Sequence, residues 1–339
     1  MAQAGTSRDS ASRARDITRR AAVAGLGCCA LATWPQQDGD VVTAIAGSRV
    51  RFAAPEMGRS LLMAEDEWTA ATSEFQRRAV MNSATPVTLD AFRRWNGDAV
   101  RPWSAAQRAR WLKALDELAP GFAALRIPLP GEVWLVATNG QESAAAPYTR
   151  GNAVMLAGAA SMPGYSDGML LAHELWHVAS RHAPDLATRL YAEIGFEPVP
   201  QLVFPAAWAA LRIANPDAPN NRHAMRLRVQ DRDAWLTPVL VASRTTLQPG
   251  ETFFSVMEVR LLELEPGAGV SRAVLRGDQP VWHALDAPHD YVRRLGGNTD
   301  YVIHPEEAMA DNVALLANGL RALNPELLGR IRAVFESPR

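Results

Sequence analysis

His173-Glu174-Leu175-Trp176-His177 sets two imidazoles four residues apart, with a carboxylate directly after the first. On an α-helix, residues i and i+4 stack on one face, so both rings can turn a nitrogen toward one ion about 2.0–2.1 Å away. Glu174 can reach a water held by that ion, where hydrolysis needs a general base. Leu175 and Trp176 between them are apolar, as in a helix buried around its site. The plainer alternative is a buried helix whose two histidines are only hydrogen-bonded. A catalytic zinc site needs a third protein ligand and one open position, so the rest of the chain decides between the two.

Several residues could supply that ligand. His182 comes nine residues after His173, but the metzincin pattern wants its third histidine one position later and a glycine where Ser180 stands. Glu193 is followed four residues later by Glu197, yet Gly195 lies between them and should end the helix. In His304-Pro305-Glu306-Glu307-Ala308-Met309-Ala310-Asp311, Glu307 and Asp311 share one helical face. Acids are favoured in the first turn of any proline-opened helix. That accounts for Glu306 and Glu307 without a metal, but not for Asp311. His304 is the expected N-cap; it could replace Glu307 as ligand, donate to an oxyanion, or only cap.

The HExxH stretch together with a later helix carrying Glu307-x-x-x-Asp311 resembles the gluzincin zinc peptidases, the thermolysin-like class. The resemblance implies one Zn2+ held by His173, His177 and Glu307, with Glu174 as general base and Asp311 orienting His173. It also makes Tyr301 and His304 candidates for stabilising a tetrahedral intermediate. It implies a zincin-like metallopeptidase core acting on a peptide or protein substrate, with the edge of the "NAVMLAG" strand (152–158) offered to that substrate. The chain departs from the class in its spacing: Glu307 stands 130 residues after His177, where gluzincins place the ligand helix shortly after the motif. A divergent or insertion-bearing relative is expected. The alternative from another class is an extracytoplasmic metal-binding or inactive zincin-fold protein without turnover.

The elements that must position these groups can be read from pattern. Ser166 or Asp167 should open the motif helix and Pro184 should close it; a further helix runs from Asp185 to Gly195. Strands are expected at "GEVWLVATNG" (131–140) and "NAVMLAG" before it. Amphipathic helices are expected from Met57 to Ala79 and from Ser104. The stretch 197–290, rich in Pro and Asn and including "NPDAPNN" (215–221), carries strand-like runs at 235–243 and 253–264. Helices from His304 and at the C-terminus follow. Separate strands and helices of this kind predict an α+β fold, with 57–339 as a single catalytic domain and 197–290 as an insertion.

Composition narrows the partners. With 48% apolar residues and ten tryptophans among 339 residues, the chain can build a large core. A net charge of −1 and the lack of a basic run argue against nucleic acid. Polar residues 1–20 end in Arg19-Arg20 and precede an apolar run from Ala21 to Ala32. That run is shorter than the ~18 residues a membrane span needs. It fits a signal peptide of twin-arginine type over 1–32, cleaved after Ala30-Leu31-Ala32, with 33–56 as a linker. The expected location is extracytoplasmic, with no stable membrane span in the mature chain. Cys28 and Cys29 both lie within this leader, so the mature protein is expected to have no disulfide or thiolate ligand; a lipid anchor at either is the lesser alternative.

Overall fold

The computed structural model describes residues 41–337 apart from 159, 205, 249, 250, 252 and 287–289; the leader expected over 1–32 lies outside the described residues. The first sheet contains β1 (Val41–Ile45), β2 (Ser48–Phe52), β3 (Glu132–Thr138), β4 (Tyr148–Arg150) and β5 (Ala153–Ala157), in the order β1-β2-β3-β5-β4. β2, β3 and β5 are mutually parallel, while β1 and β4 run antiparallel at the two edges. Two expectations are corrected here. From Val41 onward the expected linker is sheet: β2 pairs with β3 and buries Val50 and Phe52 in the core. The "NAVMLAG" strand is β5, which lies between β3 and β4, so the edge belongs to β4.

Between β2 and β3 come α1 (Pro55–Met63), α2 (Glu67–Ala71), α3 (Glu74–Val80), α4 (Leu89–Gly97) and α5 (Ala105–Leu125). The single helix expected over Met57–Ala79 is thus three. Asp66 accepts from Thr69 N at 2.7 Å and Ser73 accepts from Gln76 N at 3.0 Å. Each side chain starts a new helix, which ends the preceding run. Ser104 caps α5 in a reciprocal box with Gln107.

α6 (Asp167–His182) follows β5, capped by Ser166 and stopped ahead of Pro184. α7 (Pro184–Ala192) ends before Gly195, whose φ of +87° suits glycine alone. The stretch 197–290 holds most of a second, largely antiparallel sheet that opens at Phe196. It is built from β6 (Phe196–Pro198), β7 (Leu202–Val203), β8 (His223–Val229), β9 (Arg232–Ala242), β10 (Met257–Pro266) and β11 (Ser271–Ala273). Short α8 (Ala206–Ala209), the ribbon β12 (Leu275–Arg276) and β13 (Gln279–Pro280), and β14 (Trp282–His283) against β10 complete it. α9 (Tyr291–Arg294), α10 (Pro305–Ala317) and α11 (Pro325–Glu336) close the chain. The architecture is α+β.

α6 is buried on every side from Gly168 to Ser180, with His173, Glu174, His177 and Ser180 as polar groups among apolar ones. Leu175 and Trp176 share one core with Leu156 of β5, Phe122 of α5, Val313 of α10 and Ile331 of α11. α10 is buried almost throughout as well. Two helices packed in one core hold their side chains to fixed rotamers, and that is what positions the site.

Candidate metal centre

α6 brings the rings of His173 and His177 to 4.8 Å between centroids. α10 sets Glu307 opposite them. Its Oε2 lies 3.2 Å from His173 Nε2 and 3.5 Å from His177 Nε2. Each histidine is held from behind by a different carboxylate: Nδ1 of His173 donates to Asp311 Oδ1 at 2.8 Å, and Nδ1 of His177 donates to Glu306 Oε1 at 2.7 Å. Those bonds fix Nδ1 as the donor, so both Nε2 atoms face the Glu307 oxygen, as N–H donors while the rings are protonated and as lone pairs once that proton leaves. With those protons removed, the two Nε2 atoms and the Glu307 oxygen are three acceptors in one buried spot, a set that a cation would satisfy.

The donor set fits a metal ion. The three ligand atoms lie within 4.8 Å of one another, and two ligands about 2.0–2.1 Å from a tetrahedral ion stand roughly 3.3 Å apart. The separations of 3.2 and 3.5 Å bracket that edge. The supporting carboxylates are themselves fixed. Asp311 accepts from Tyr165 and Thr299, and Glu306 accepts from Tyr191 and from Ser180 Oγ, the last at 2.6 Å. Carboxylates bonded to the far nitrogens of ligating histidines are the usual outer support of such a site.

Charge follows geometry. Burial works against a protonated His173, but Asp311 and Glu307 outweigh it and carry the ring's pKa up to about 10. Burial opposes charge on His177 too, yet Asp217, Glu307 and Glu306 raise it well above its ordinary value. Burial pushes Glu307 up, and the two histidines more than reverse this, so it stays ionised far below the usual carboxylate range. Glu174 goes the other way: burial, then the neighbouring Asp217, raise it to about 8. Its Oε2 is buried without a hydrogen-bond partner among the described residues.

The remaining candidates separate clearly. Tyr301 stacks on His173 at 5.8 Å between centroids, and its buried hydroxyl has no partner among the described residues. His304 caps α10: its Nδ1 accepts from Glu306 N and its Nε2 donates to Asn220 O, both at 3.1 Å. Burial holds its pKa down to about 4, which suits a neutral cap. Glu193 pairs with Arg330 at 2.9 Å instead of joining the histidines. His182 ends α6 in an exposed position.

Three residues of the site escape sequence reasoning. Glu306 reads as a first-turn acid, yet it is the support of His177. The readable signal was that two ligating histidines need two supporting acceptors, and Glu306 and Asp311 flank Glu307 on the same helix. Asn215 donates from Nδ2 to Glu307 Oε1 at 2.5 Å, leaving Oε2 for the histidines. Asp217 offers an oxygen within 4.8 Å of ligand atoms of both Glu174 and His177. These two sit in a proline-rich loop with no periodicity to mark them.

The centre is closed to solvent: His173 and Glu307 are 0% exposed, and Glu174 and His177 are 1%. Compared with known proteins, the chain matches no family model, no curated protein and no solved structure.

Proposed function

We propose that the protein is a zinc-dependent hydrolase of gluzincin-like organisation that cleaves peptide bonds. The observation that carries this reading is the convergence of His173 Nε2, His177 Nε2 and Glu307 Oε2, with a carboxylate behind each imidazole. A zinc ion bound there would polarise a carbonyl and acidify a water. The chain's own residues supply the rest. Glu174 is the proton acceptor: it is buried beside His177, and its Oε2 has no hydrogen-bond partner among the described residues. Asp311 and Glu306 hold the imidazoles in one tautomer. Tyr301, whose buried hydroxyl has no partner among the described residues and whose ring stacks on His173, is the donor available to a developing oxyanion.

The zincin core of this proposal comprises β3, β5 and the antiparallel edge strand β4, followed by α6 and, after the inserted second sheet, by α10. Peptide rather than another acyl substrate rests on that likeness alone. Export by the segment around Arg19-Arg20 belongs to the same proposal, and N-terminal sequencing of protein from cells tests it: a mature start near Thr33 is expected, and an intact 1–32 overturns it.

A second reading, a metal-binding protein without turnover, is favoured by one observation, the 0–1% exposure of the four central residues. Elemental analysis and a Glu174→Gln variant separate the two. Zinc-supplied protein should retain about one equivalent after dialysis, as a single three-ligand site requires. Glu174→Gln should keep that metal and lose hydrolysis. Retained metal with no hydrolysis in either protein, nor in a variant that opens the buried centre, would leave the binding reading; absence of metal would overturn both.

A further inference from the structure

The segment Ala214–Asn221 crosses the candidate centre as an irregular strap. Both ends are tied to other parts of the fold. Ala214 O accepts from Trp68 Nε1 at 3.1 Å and Gln76 Nε2 at 2.9 Å, and Asn220 O accepts from His304 Nε2 at 3.1 Å. Between these anchors two side chains turn into the site. Asn215 holds Glu307 with its amide, while its Oδ1 accepts from Asp217 N at 3.0 Å and so orients the next side chain.

Asp217 reaches the edge of the first sheet. Its Oδ1 accepts from Thr149 N at 2.8 Å and from Thr149 Oγ1 at 2.5 Å. Thr149 lies in β4, whose only strand partner among the described residues is β5, so this N–H points out from the sheet edge. An extended polypeptide that adds to an edge strand takes such N–H groups with its own carbonyls. Asp217 therefore stands where a substrate carbonyl would bind. The same residue offers an oxygen within 4.8 Å of ligand atoms of both Glu174 and His177. It is 5% exposed, and the groups it covers are 1% exposed or less.

We propose that the Ala214–Asn221 strap is a built-in inhibitor of the centre, with Asp217 seated between Thr149 and the Glu174–His177 side in place of an extended polypeptide substrate. The inference rests on the metal reading of His173, His177 and Glu307. It accounts for a complete ligand set that no substrate can reach: the structure is the shut form, and an extended chain enters where Asp217 leaves.

The test uses the full chain loaded with cobalt(II), whose visible absorption reports the number and geometry of its ligands. Two variants are compared with the unchanged protein. Asp217→Asn keeps an oxygen to accept from Thr149 N but loses the charge; Asp217→Ala loses both. Withdrawal of the Asp217 carboxylate opens the remaining coordination position to water, so the cobalt band should shift from that of the unchanged protein in both variants. Hydrolysis of an unfolded casein probe by Asp217→Ala should rise at least about tenfold, the least expected if nine molecules in ten are shut. Thermal unfolding of Asp217→Asn should match that of the unchanged protein, showing that the fold persists. An unaltered cobalt spectrum in both variants overturns the proposal. So does a shifted spectrum with constant or reduced hydrolysis, which would make Asp217 a working residue of an open site. If the unchanged chain takes up no cobalt, the metal reading itself fails, and the strap proposal falls with it.

Discussion

Glu307, Glu306 and Asp311 lie within six positions of one helix and perform two different tasks, which makes them the sharpest test at the scale of residues. Glu307 alone faces both Nε2 atoms, so Glu307→Ala should abolish stoichiometric zinc uptake. Glu306 and Asp311 each hold one Nδ1; their alanine variants should weaken zinc by about 10–100-fold, the usual effect of losing an outer support. Competition with a chromophoric chelator measures all three. Equal and negligible effects of Glu306→Ala and Asp311→Ala would contradict the paired arrangement.

The same residues set a pH dependence. In the metal-free protein His173 has its pKa raised to about 10, against about 6.5 when unfolded. The stability contributed by its protonated form is therefore complete below about pH 6.5 and is lost as pH rises through about 10. Glu174, raised to about 8 from an ordinary carboxylate value, acts in the same direction, since its neutral form is favoured by the fold. Zinc competes with the proton on His173, so its affinity should rise across the window in which metal-free stability falls. Melting curves of chelator-treated protein and zinc titrations between about pH 6 and 10 should show these opposite slopes.

Among the elements, α5 and α10 meet at Gly121, where a side chain has no room. A Cβ there would come within 1.9 Å of the backbone oxygen of Ala317, at the end of the helix that carries Glu307. Alanine is intrinsically better than glycine inside a helix by about 1 kcal/mol. An overpacked contact costs roughly 1–3 kcal/mol, and backbone cannot swing aside as a side chain can. The clash should win, so Gly121→Ala should lower the melting temperature of the zinc-free protein. A rise would mean that α5 and α10 can separate freely. The three helices α1, α2 and α3 teach the complementary lesson. Asp66 and Ser73 are visible cap residues, but their apolar neighbours keep a helical period across both, so the breaks are decided by hydrogen bonds that the period does not show.

For the molecule as a whole, the core couples ligand binding to folding. His173 and His177 come from a buried helix and Glu307 from another, so an ion that joins them binds the folded chain and not the unfolded one. Zinc at 1,000 times its dissociation constant should add about 4 kcal/mol. For a chain of this size that is a rise of roughly 6 °C in melting temperature. Chelator should remove the rise in the unchanged protein and have no effect in Glu307→Ala. Equal melting curves with and without zinc would contradict the coupling. Among the described residues no helix is long and apolar enough to cross a membrane.

The sequence by itself determined the parts of this protein that depend on neighbours along the chain. Ser104 and Ser166 mark helix starts because a cap acts over three residues, Gly195 marks a stop because its φ is positive, and His173 and His177 share a face because a helix repeats every 3.6 residues. The likeness of Glu307 and Asp311 to a zinc-binding pair was legible for the same reason. Only the tertiary structure decided what lies across from these groups. It moved the sheet edge from β5 to β4, turned Glu306 from a first-turn acid into the partner of His177, and brought Asn215 and Asp217 from a loop into the centre. Those contacts join positions from 68 to 134 residues apart. No local period or cap carries such information; it resides in how the buried faces of β5, α6 and α10 pack into a single core.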